Sequence, residues 1–134
     1  HSVVVREGRH VTLITYGAMV RPTMEAAERL SRENGIEAEV VDLLTLAPLD
    51  DTLITASAKK TGRVVVVHEA PRSYGPGAEI TARLVEKAFY FLEAPVRRVT
   101  GYDLIMPLFA REQAYLPNAG RIVRAVKETL EAAA

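Results

Sequence analysis

The residues of this chain that could do chemistry are concentrated in one stretch, "HEAPRSYGPGAEI", at positions 68–80. Four valines precede it, so His68 and Glu69 leave the end of a predicted buried strand, from which α/β enzymes often supply an acid or a base. No serine, second histidine or metal ligand stands at a useful spacing, because His1 and His10 lie near the starts of other strands. We favour a hydrogen-bonded packing role for His68, with a direct catalytic role as the alternative.

Two glycine loops could instead bind an anion. Gly17 follows one predicted strand, Gly75 and Gly77 follow another, and both loops lead to helix N-termini whose free amides favour negative charge. Neither loop is a phosphate loop with its lysine or a GxGxxG fingerprint. We therefore interpret the second loop as a tight corner that glycine makes possible. The alternative function is an autonomous α/β module that binds a small anion at Gly17, His68, Glu69, Gly75 and Gly77.

The composition narrows the class of protein. The chain has 134 residues, 49% of them hydrophobic, which is enough for one domain, 1–134, with a core of its own. Seventeen basic residues balance seventeen acidic ones, so a general polyanion binder is not expected. There is no cysteine, which excludes disulfides, thiolate nucleophiles and cysteine-based zinc sites. No apolar run approaches the roughly 20 residues of a membrane span, and a cytoplasmic location is predicted.

Strand-like and helix-like segments alternate along the chain. Strands are predicted at 3–5, 11–16, 39–43, 64–67 and 96–100, and helices at 22–34, from 48–51 to 62, at 77–92 and from Asn118 onwards. The helix at 77–92 carries a wide apolar stripe and is expected to be well buried. This alternation predicts a three-layer α/β/α domain with a mostly parallel sheet, in which the valine strand 64–67 is central.

The segment 101–117 is unusually long for a connection, at ~17 residues against a usual 4–6. It contains Tyr102 and Asp103 and then an apolar run that would be sticky in water, Leu104, Ile105, Met106, Leu108 and Phe109. Either this loop folds over a helix of its own domain or another subunit covers it, and we favour the second. The residues of the loop are therefore candidates for a partner surface.

Five blocks in order, "VVREGRHVTLITYGAMV", "AEVVDLLTLAPLD", "VVVVHEAPRSYGPGAEI", "FLEAPVRRVTGYD" and "YLPNAGRIVRAV", give the chain a family resemblance. It resembles the C-terminal domain of the beta subunit of 2-oxo acid dehydrogenase decarboxylating components, of the pyruvate, branched-chain and acetoin types. The resemblance covers nearly the whole chain, and its "HEAP" form is closer to the branched-chain enzymes. It implies the transketolase C-terminal fold, a five-stranded mixed sheet between helices with the first strand antiparallel to the others.

The same resemblance implies what the whole enzyme does. The enzyme decarboxylates a 2-oxo acid on thiamine diphosphate with magnesium and passes the acyl group to a lipoyl arm. The cofactor lies between the alpha subunit and the N-terminal domain of the beta subunit, so this domain is expected to bind no cofactor or metal and to hold no catalytic residue. The start at His1 further predicts a piece of a longer beta subunit, in the mitochondrial matrix if the source is eukaryotic.

By this resemblance the domain serves assembly. It packs against a second beta subunit and receives the peripheral subunit-binding domain of the acyltransferase, a small basic module. Glu93 matches an acidic position of the docking face, while Arg97 is a departure that places a positive charge there. The predicted partner-binding residues are Glu93, Arg97, Tyr102, Asp103, Leu108, Phe109, Glu131 and Ala134.

Overall fold

A computed structural model describes residues 1–71, 75–101 and 118–131 of the chain. The strands in this part are β1 (Ser2–Arg6), β2 (Val11–Thr15), β3 (Ala38–Leu43), β4 (Val64–Pro71) and β5 (Arg97–Gly101). The helices are α1 (Val20–Asn34), α2 (Thr52–Thr61), α3 (Pro76–Ala88) and α4 (Ala119–Glu131), with short 3₁₀ turns at Gly17–Met19 and Phe89–Phe91.

The five strands form one mixed sheet in the order β1-β3-β2-β4-β5. β1 runs antiparallel to β3, with Val4 opposite Val41, and the other three pairings are parallel. The predicted fold class is confirmed, including the reversed first strand. The valine strand β4 lies inside the sheet between β2 and β5, but the middle strand is β2.

Helices cover both faces of the sheet, and each face has its own apolar core. Alternate residues of one strand point to opposite faces, so Val65 and Val67 pack with α1 and α4, while Val64 and Val66 pack with α2 and α3. All five residues of β2 are buried, as expected for a parallel strand covered on both sides. The three-layer α/β/α arrangement is the one that the sequence pattern predicts.

Local chemistry explains where the helices begin and end. Gly35 and Gly62 end α1 and α2 in the left-handed conformation, with φ of 65° and 75°. Pro76 stands in the first turn of α3, where its missing N–H costs no hydrogen bond. The Asn118 side chain accepts a hydrogen bond from the Arg121 amide at 3.0 Å and caps α4, as predicted.

Two expectations need correction in the region of β4 and α3. β4 continues to Pro71 rather than ending at 67, so His68 lies inside the strand. α3 ends at Ala88, and the predicted burial of its whole apolar stripe is wrong, because Val85 and Phe89 are 45% and 60% exposed. Only one face of a helix can meet the sheet, and here that face carries Ile80, Leu84 and Ala88.

Two boundaries differ by a few residues from the sequence prediction. α1 begins at Val20 rather than at 22, after the 3₁₀ turn, and α2 begins at Thr52 rather than at 48–51. The Thr52 amide donates to Asp50 Oδ1 at 3.0 Å, which holds the segment before α2 in a turn. Among the described helices, none is both long and apolar enough to span a membrane.

Candidate functional site

The sheet has a topological switch point between β2 and β4. The crossover through α1 leaves β2 for β3, and the crossover through α3 leaves β4 for β5 on the opposite side. The carboxyl end of β2 is paired with β4 there, with Thr15 opposite Val67. In open α/β sheets this is where ligands bind, and the predicted loop residues Gly17 and His68 both lie at this end.

His68 is a buried, neutral side chain at the switch point. It is fully buried, and its Nδ1 lies 3.1 Å from the Ala70 carbonyl oxygen. A carbonyl only accepts, so Nδ1 carries the proton and Nε2 is an acceptor, which has no hydrogen-bond partner among the described residues. Burial first, and the nearby Arg98 charge second, lower the pKa of His68 below its ordinary value. The geometry supports the packing interpretation.

Two neighbours pack against the His68 ring. The Tyr16 ring lies with its centroid 6.2 Å away, and burial, followed by the Glu69 charge, raises the pKa of Tyr16. A Cβ on Gly77 would stand 2.5 Å from His68 Nε2, so a side chain at this position would force the two residues apart. The structure thus brings Tyr16, His68 and Gly77 together, whereas the Glu69 side chain is exposed.

The described glycines of both loops lie at turns that lead into helices. Gly75 is the N-cap of α3 and its carbonyl accepts from the Ala78 amide at 3.1 Å. Gly17 has a φ of 59°, which favours glycine at the turn into α1. Glu79 lies in the first turn of α3 and pairs with Arg83 at 3.2 Å. Gly17 and Gly77 therefore have conformational and steric reasons, respectively, to be glycine.

The predicted docking residue Glu93 lies on the surface beside the end of α2. Its side chain is 59% exposed, and its Oε2 lies 3.6 Å from an Arg63 guanidinium nitrogen. The Glu93 amide donates to the Gly62 carbonyl at 2.7 Å, which fixes the segment after α3. Arg97 pairs with Glu128 of α4 at 3.2 Å, so its positive charge is compensated within the chain.

Of the other predicted docking residues, only Glu131 lies in the part of the chain that the structure describes. Glu131 is the last residue of α4 and is exposed. Residues 102–117, including the apolar run, and residues 132–134 lie outside the described residues. The predictions for Tyr102, Asp103, Leu108, Phe109 and Ala134 therefore stay predictions.

Sequence reasoning missed an apolar groove between α3 and the segment that leads into β5. Its walls are Thr81, Val85 and Phe89 on one side and residues 92–96 on the other, with a volume of 720 Å³. Tyr90 and Phe91 follow α3 and are 96% and 52% exposed. The aromatic run "FYF" directly before "LEAP" could have indicated this surface, but its helical periodicity favoured burial instead.

Sequence reasoning also missed a buried polar cluster at the other end of the sheet. Glu39 is 4% exposed, accepts from Ser57 Oγ at 2.7 Å and from the Gly8 amide at 3.3 Å, and contacts Lys60 Nζ. Burial would raise the pKa of Glu39, but the hydrogen bonds from Lys60 and Ser57 outweigh it, so this pKa is lowered. A buried carboxylate whose hydrogen bonds are all made stabilises this corner of the fold.

A magnesium or cofactor site does not emerge from the donor groups of the described residues. Within ranges 1–71, 75–101 and 118–131 no three acidic or histidine side chains cluster in a way that could hold a metal ion. Magnesium needs carboxylate and other oxygen ligands around one point.

The chain is similar to named proteins over nearly its full length. It is 48% identical over 128 residues to "Pyruvate dehydrogenase E1 component subunit beta" of Staphylococcus aureus and 47% identical to the protein of that name from Staphylococcus epidermidis. In both cases the match covers 96% of this chain and 39% of the relative. The chain thus spans about two fifths of the length of these relatives.

Solved structures share the same fold. A structure described as "Split gene transketolase, inactive beta4 tetramer" superposes with a TM-score of 0.83 at 33% identity, over 97% of this chain and 41% of that one. A 2-oxoglutarate:ferredoxin oxidoreductase from Magnetococcus marinus superposes with a TM-score of 0.63 at 18% identity, which shows the fold alone. Residues 1–122 match the family described as "Transketolase, C-terminal domain". On this match and this fold, the chain belongs to the transketolase C-terminal domain family.

Proposed function

We propose that this chain is the assembly and docking domain of the beta subunit of a 2-oxo acid dehydrogenase decarboxylating component. The observation that carries the proposal is the 48% identity, over 96% of the chain, to a beta subunit of pyruvate dehydrogenase. The domain contributes contacts between subunits, and the chemistry belongs to other parts of the enzyme.

In this proposal the whole enzyme decarboxylates a 2-oxo acid on thiamine diphosphate with magnesium and transfers the acyl group to lipoamide. The beta subunit associates with an alpha subunit and with a second beta subunit. The named relatives are pyruvate dehydrogenase subunits, whereas the "HEAP" block favours a branched-chain substrate. Because substrate selectivity belongs to other domains, both substrates are compatible with this domain.

The docking face of the proposal lies around Glu93, near the carboxyl end of α4. Glu93 is exposed, and the Arg97–Glu128 pair beside it carries no net charge. Glu93 is itself paired with Arg63 at 3.6 Å, but its side chain is 59% exposed, so a basic module can still reach this carboxylate. Opposite charges across such a face accelerate association and favour one partner over others. Glu131 and Ala134 would extend the face at the end of the chain.

Calorimetric titration of the chain with the peripheral subunit-binding domain of the acyltransferase from the same source tests the proposal. We expect binding that weakens as salt is added, because the face is charged. Glu93→Lys should weaken it about tenfold or more, as expected for a charge reversal opposite a basic partner. Glu28→Lys is the matched control, since Glu28 is an exposed glutamate on α1, and it should bind like the unmodified chain.

Other results of the same titration would count against the proposal. No heat of binding at low salt, together with sedimentation showing a monomer at all concentrations, would contradict both the docking and the beta–beta contact. Binding that Glu28→Lys weakens as much as Glu93→Lys would move the docking face away from Glu93.

A further inference from the structure

Arg63 contacts two parts of the proposed docking face at once. It lies in the turn between α2 and β4, and only 17% of its side chain is exposed. Its Nη1 donates to the Thr129 carbonyl oxygen at 2.6 Å, and its Nη2 lies 3.6 Å from Glu93 Oε2. Thr129 belongs to the last turn of α4. One guanidinium therefore joins the end of α4 to the predicted docking residue.

An arginine suits this position for two reasons. The last carbonyls of a helix have no partner within the helix and form its negative end, so a cation that donates to them is stabilising. The planar guanidinium also carries several donors in a fixed fork, so it reaches two acceptors without reorienting. The Arg63 carbonyl accepts from the Thr12 amide at 2.8 Å, which fixes the base of the side chain to β2.

The residue before Arg63 contacts Glu93 as well. The Glu93 amide donates to the Gly62 carbonyl at 2.7 Å. A Cβ on Gly62 would stand 3.0 Å from Glu93 Cγ, so the stem of the glutamate side chain passes close to this glycine. The turn Gly62–Arg63 thus contacts Glu93 at its backbone, its stem and its carboxylate.

Arg63 could either compete with a basic partner for Glu93 or hold Glu93 ready for it. The 3.6 Å separation is longer than the roughly 2.7–2.9 Å of a direct charge-assisted hydrogen bond. With 59% of its side chain exposed, Glu93 keeps acceptor capacity towards solvent. A side chain that is fixed before binding also loses less entropy when the partner arrives. These observations favour holding over competition.

We propose that Arg63 is a positioning residue of the docking face, which holds the Glu93 carboxylate beside the end of α4 for a basic partner. This inference rests on the proposed docking function and adds a residue that acts through Glu93.

Calorimetric titration with the peripheral subunit-binding domain of the acyltransferase tests the proposal. Arg63→Met should weaken binding about threefold, the size of effect that partly exposed ion pairs have. Arg63→Lys should lie between the two, because lysine keeps the charge but lacks the fork. Arg6→Met is the matched control. Arg6 is 19% exposed and likewise contacts one carbonyl, of Ala38, and one glutamate, Glu37, but not Glu93.

Two further measurements separate positioning from a general loss of stability. In a Glu93→Gln background, Arg63→Met should have little further effect on binding, because Arg63 acts through the Glu93 carboxylate. Without any partner, NMR scalar couplings should show one dominant side-chain rotamer of Glu93 in the wild type and averaged rotamers in Arg63→Met. Chemical denaturation identifies the conditions in which each variant is folded.

Tighter binding of Arg63→Met would show competition and overturn the proposal. Equal weakening by Arg6→Met, or equally averaged Glu93 rotamers with and without Arg63, would overturn it too. If the wild-type chain does not bind the acyltransferase module at all, the docking function fails, and the rotamer measurement still decides whether Arg63 positions Glu93.

Discussion

The His68 imidazole is held neutral by its surroundings. Its Nδ1–H donates to the Ala70 carbonyl, and its Nε2 is enclosed beside Gly77 at the start of α3. A proton on Nε2 would create a buried cation near Arg98 and near the positive end of a helix, with no acceptor among the described residues. A histidine in this position packs the corner and is a poor general acid.

Acidification should therefore destabilise the fold through His68. The folded-state pKa lies below the ordinary value of 6.5, so the unfolded chain binds more protons, and stability present above that pH is lost as pH falls. We expect the free energy of unfolding to decrease less between neutral and mildly acidic pH in His68→Phe than in the wild type. Denaturant titrations across this pH range measure it. Exposed His1→Phe should keep the wild-type slope, and equal slopes in all three proteins would contradict the prediction.

Gly77 should be intolerant of any side chain because of the same contact. A methyl group there would stand 2.5 Å from His68 Nε2, and overpacking of this kind typically costs about 1–3 kcal/mol. We expect Gly77→Ala to lower the free energy of unfolding by that amount. The loss should shrink when His68→Ala is also present, because the two side chains no longer collide. An identical cost in both backgrounds would show that the clash is not the cause.

Glu39 connects the start of β3 to the turn between β1 and β2 and to helix α2. Its carboxylate accepts from the Gly8 amide, from Ser57 and from Lys60. The Ser57 hydroxyl in turn lies 2.7 Å from Thr12 Oγ1 on β2. A buried carboxylate is tolerated here because charged and neutral donors satisfy both of its oxygens.

Glu39→Gln should break this connection. One carboxylate oxygen becomes an amide nitrogen, which cannot accept from Lys60, Ser57 or Gly8, so a buried donor faces another donor. We expect a loss of about 1–3 kcal/mol in the free energy of unfolding, the usual cost of an unsatisfied buried polar group. Chemical denaturation measures it, and Glu28→Gln on exposed α1 should stay within about 0.5 kcal/mol of wild type. If both variants unfold alike, Glu39 does not stabilise this corner.

At the scale of the whole molecule, the sheet divides the described core into two apolar clusters, one on each face. β2 contributes to both, with Leu13 on the α1–α4 side and Ile14 on the α2–α3 side. It is hydrogen-bonded to β3 and β4 along its length. Exposing the middle strand, β2, to solvent therefore requires both apolar clusters to open.

Hydrogen exchange should follow that organisation. We expect the slowest amide exchange in β2, because its amides exchange only on global unfolding, and faster exchange in the edge strands β1 and β5. The turn Phe89–Phe91 should exchange rapidly, since all three side chains are more than half exposed. Mass spectrometry of deuterated fragments resolves these segments. Slower exchange in β1 or β5 than in β2 would contradict this order.

Much of the architecture follows from patterns that act over a few residues. The continuous valine run of β4, the alternation of strands with helices, the helix ends at Gly35 and Gly62 and the helix start at Asn118 are local features, and the sequence alone predicts them correctly. The resemblance of the five quoted blocks predicts the mixed sheet and the antiparallel β1, which the fold and the family match confirm. Local hydrogen bonding and side-chain periodicity are sufficient for this part because they do not depend on distant residues.

Other features depend on which distant residues meet. Helical periodicity marks Val85 and Phe89 as apolar, but only the packing of α3 on the sheet decides that Ile80 and Leu84 are buried and that these two face outwards. The sequence gives no indication that Gly77 faces His68 or that Glu39 reaches Gly8, Ser57 and Lys60. The sequence by itself therefore determined the elements and the family of this chain. The tertiary structure decided which apolar face stays open and which buried polar groups are paired, because burial is a property of the assembled layers.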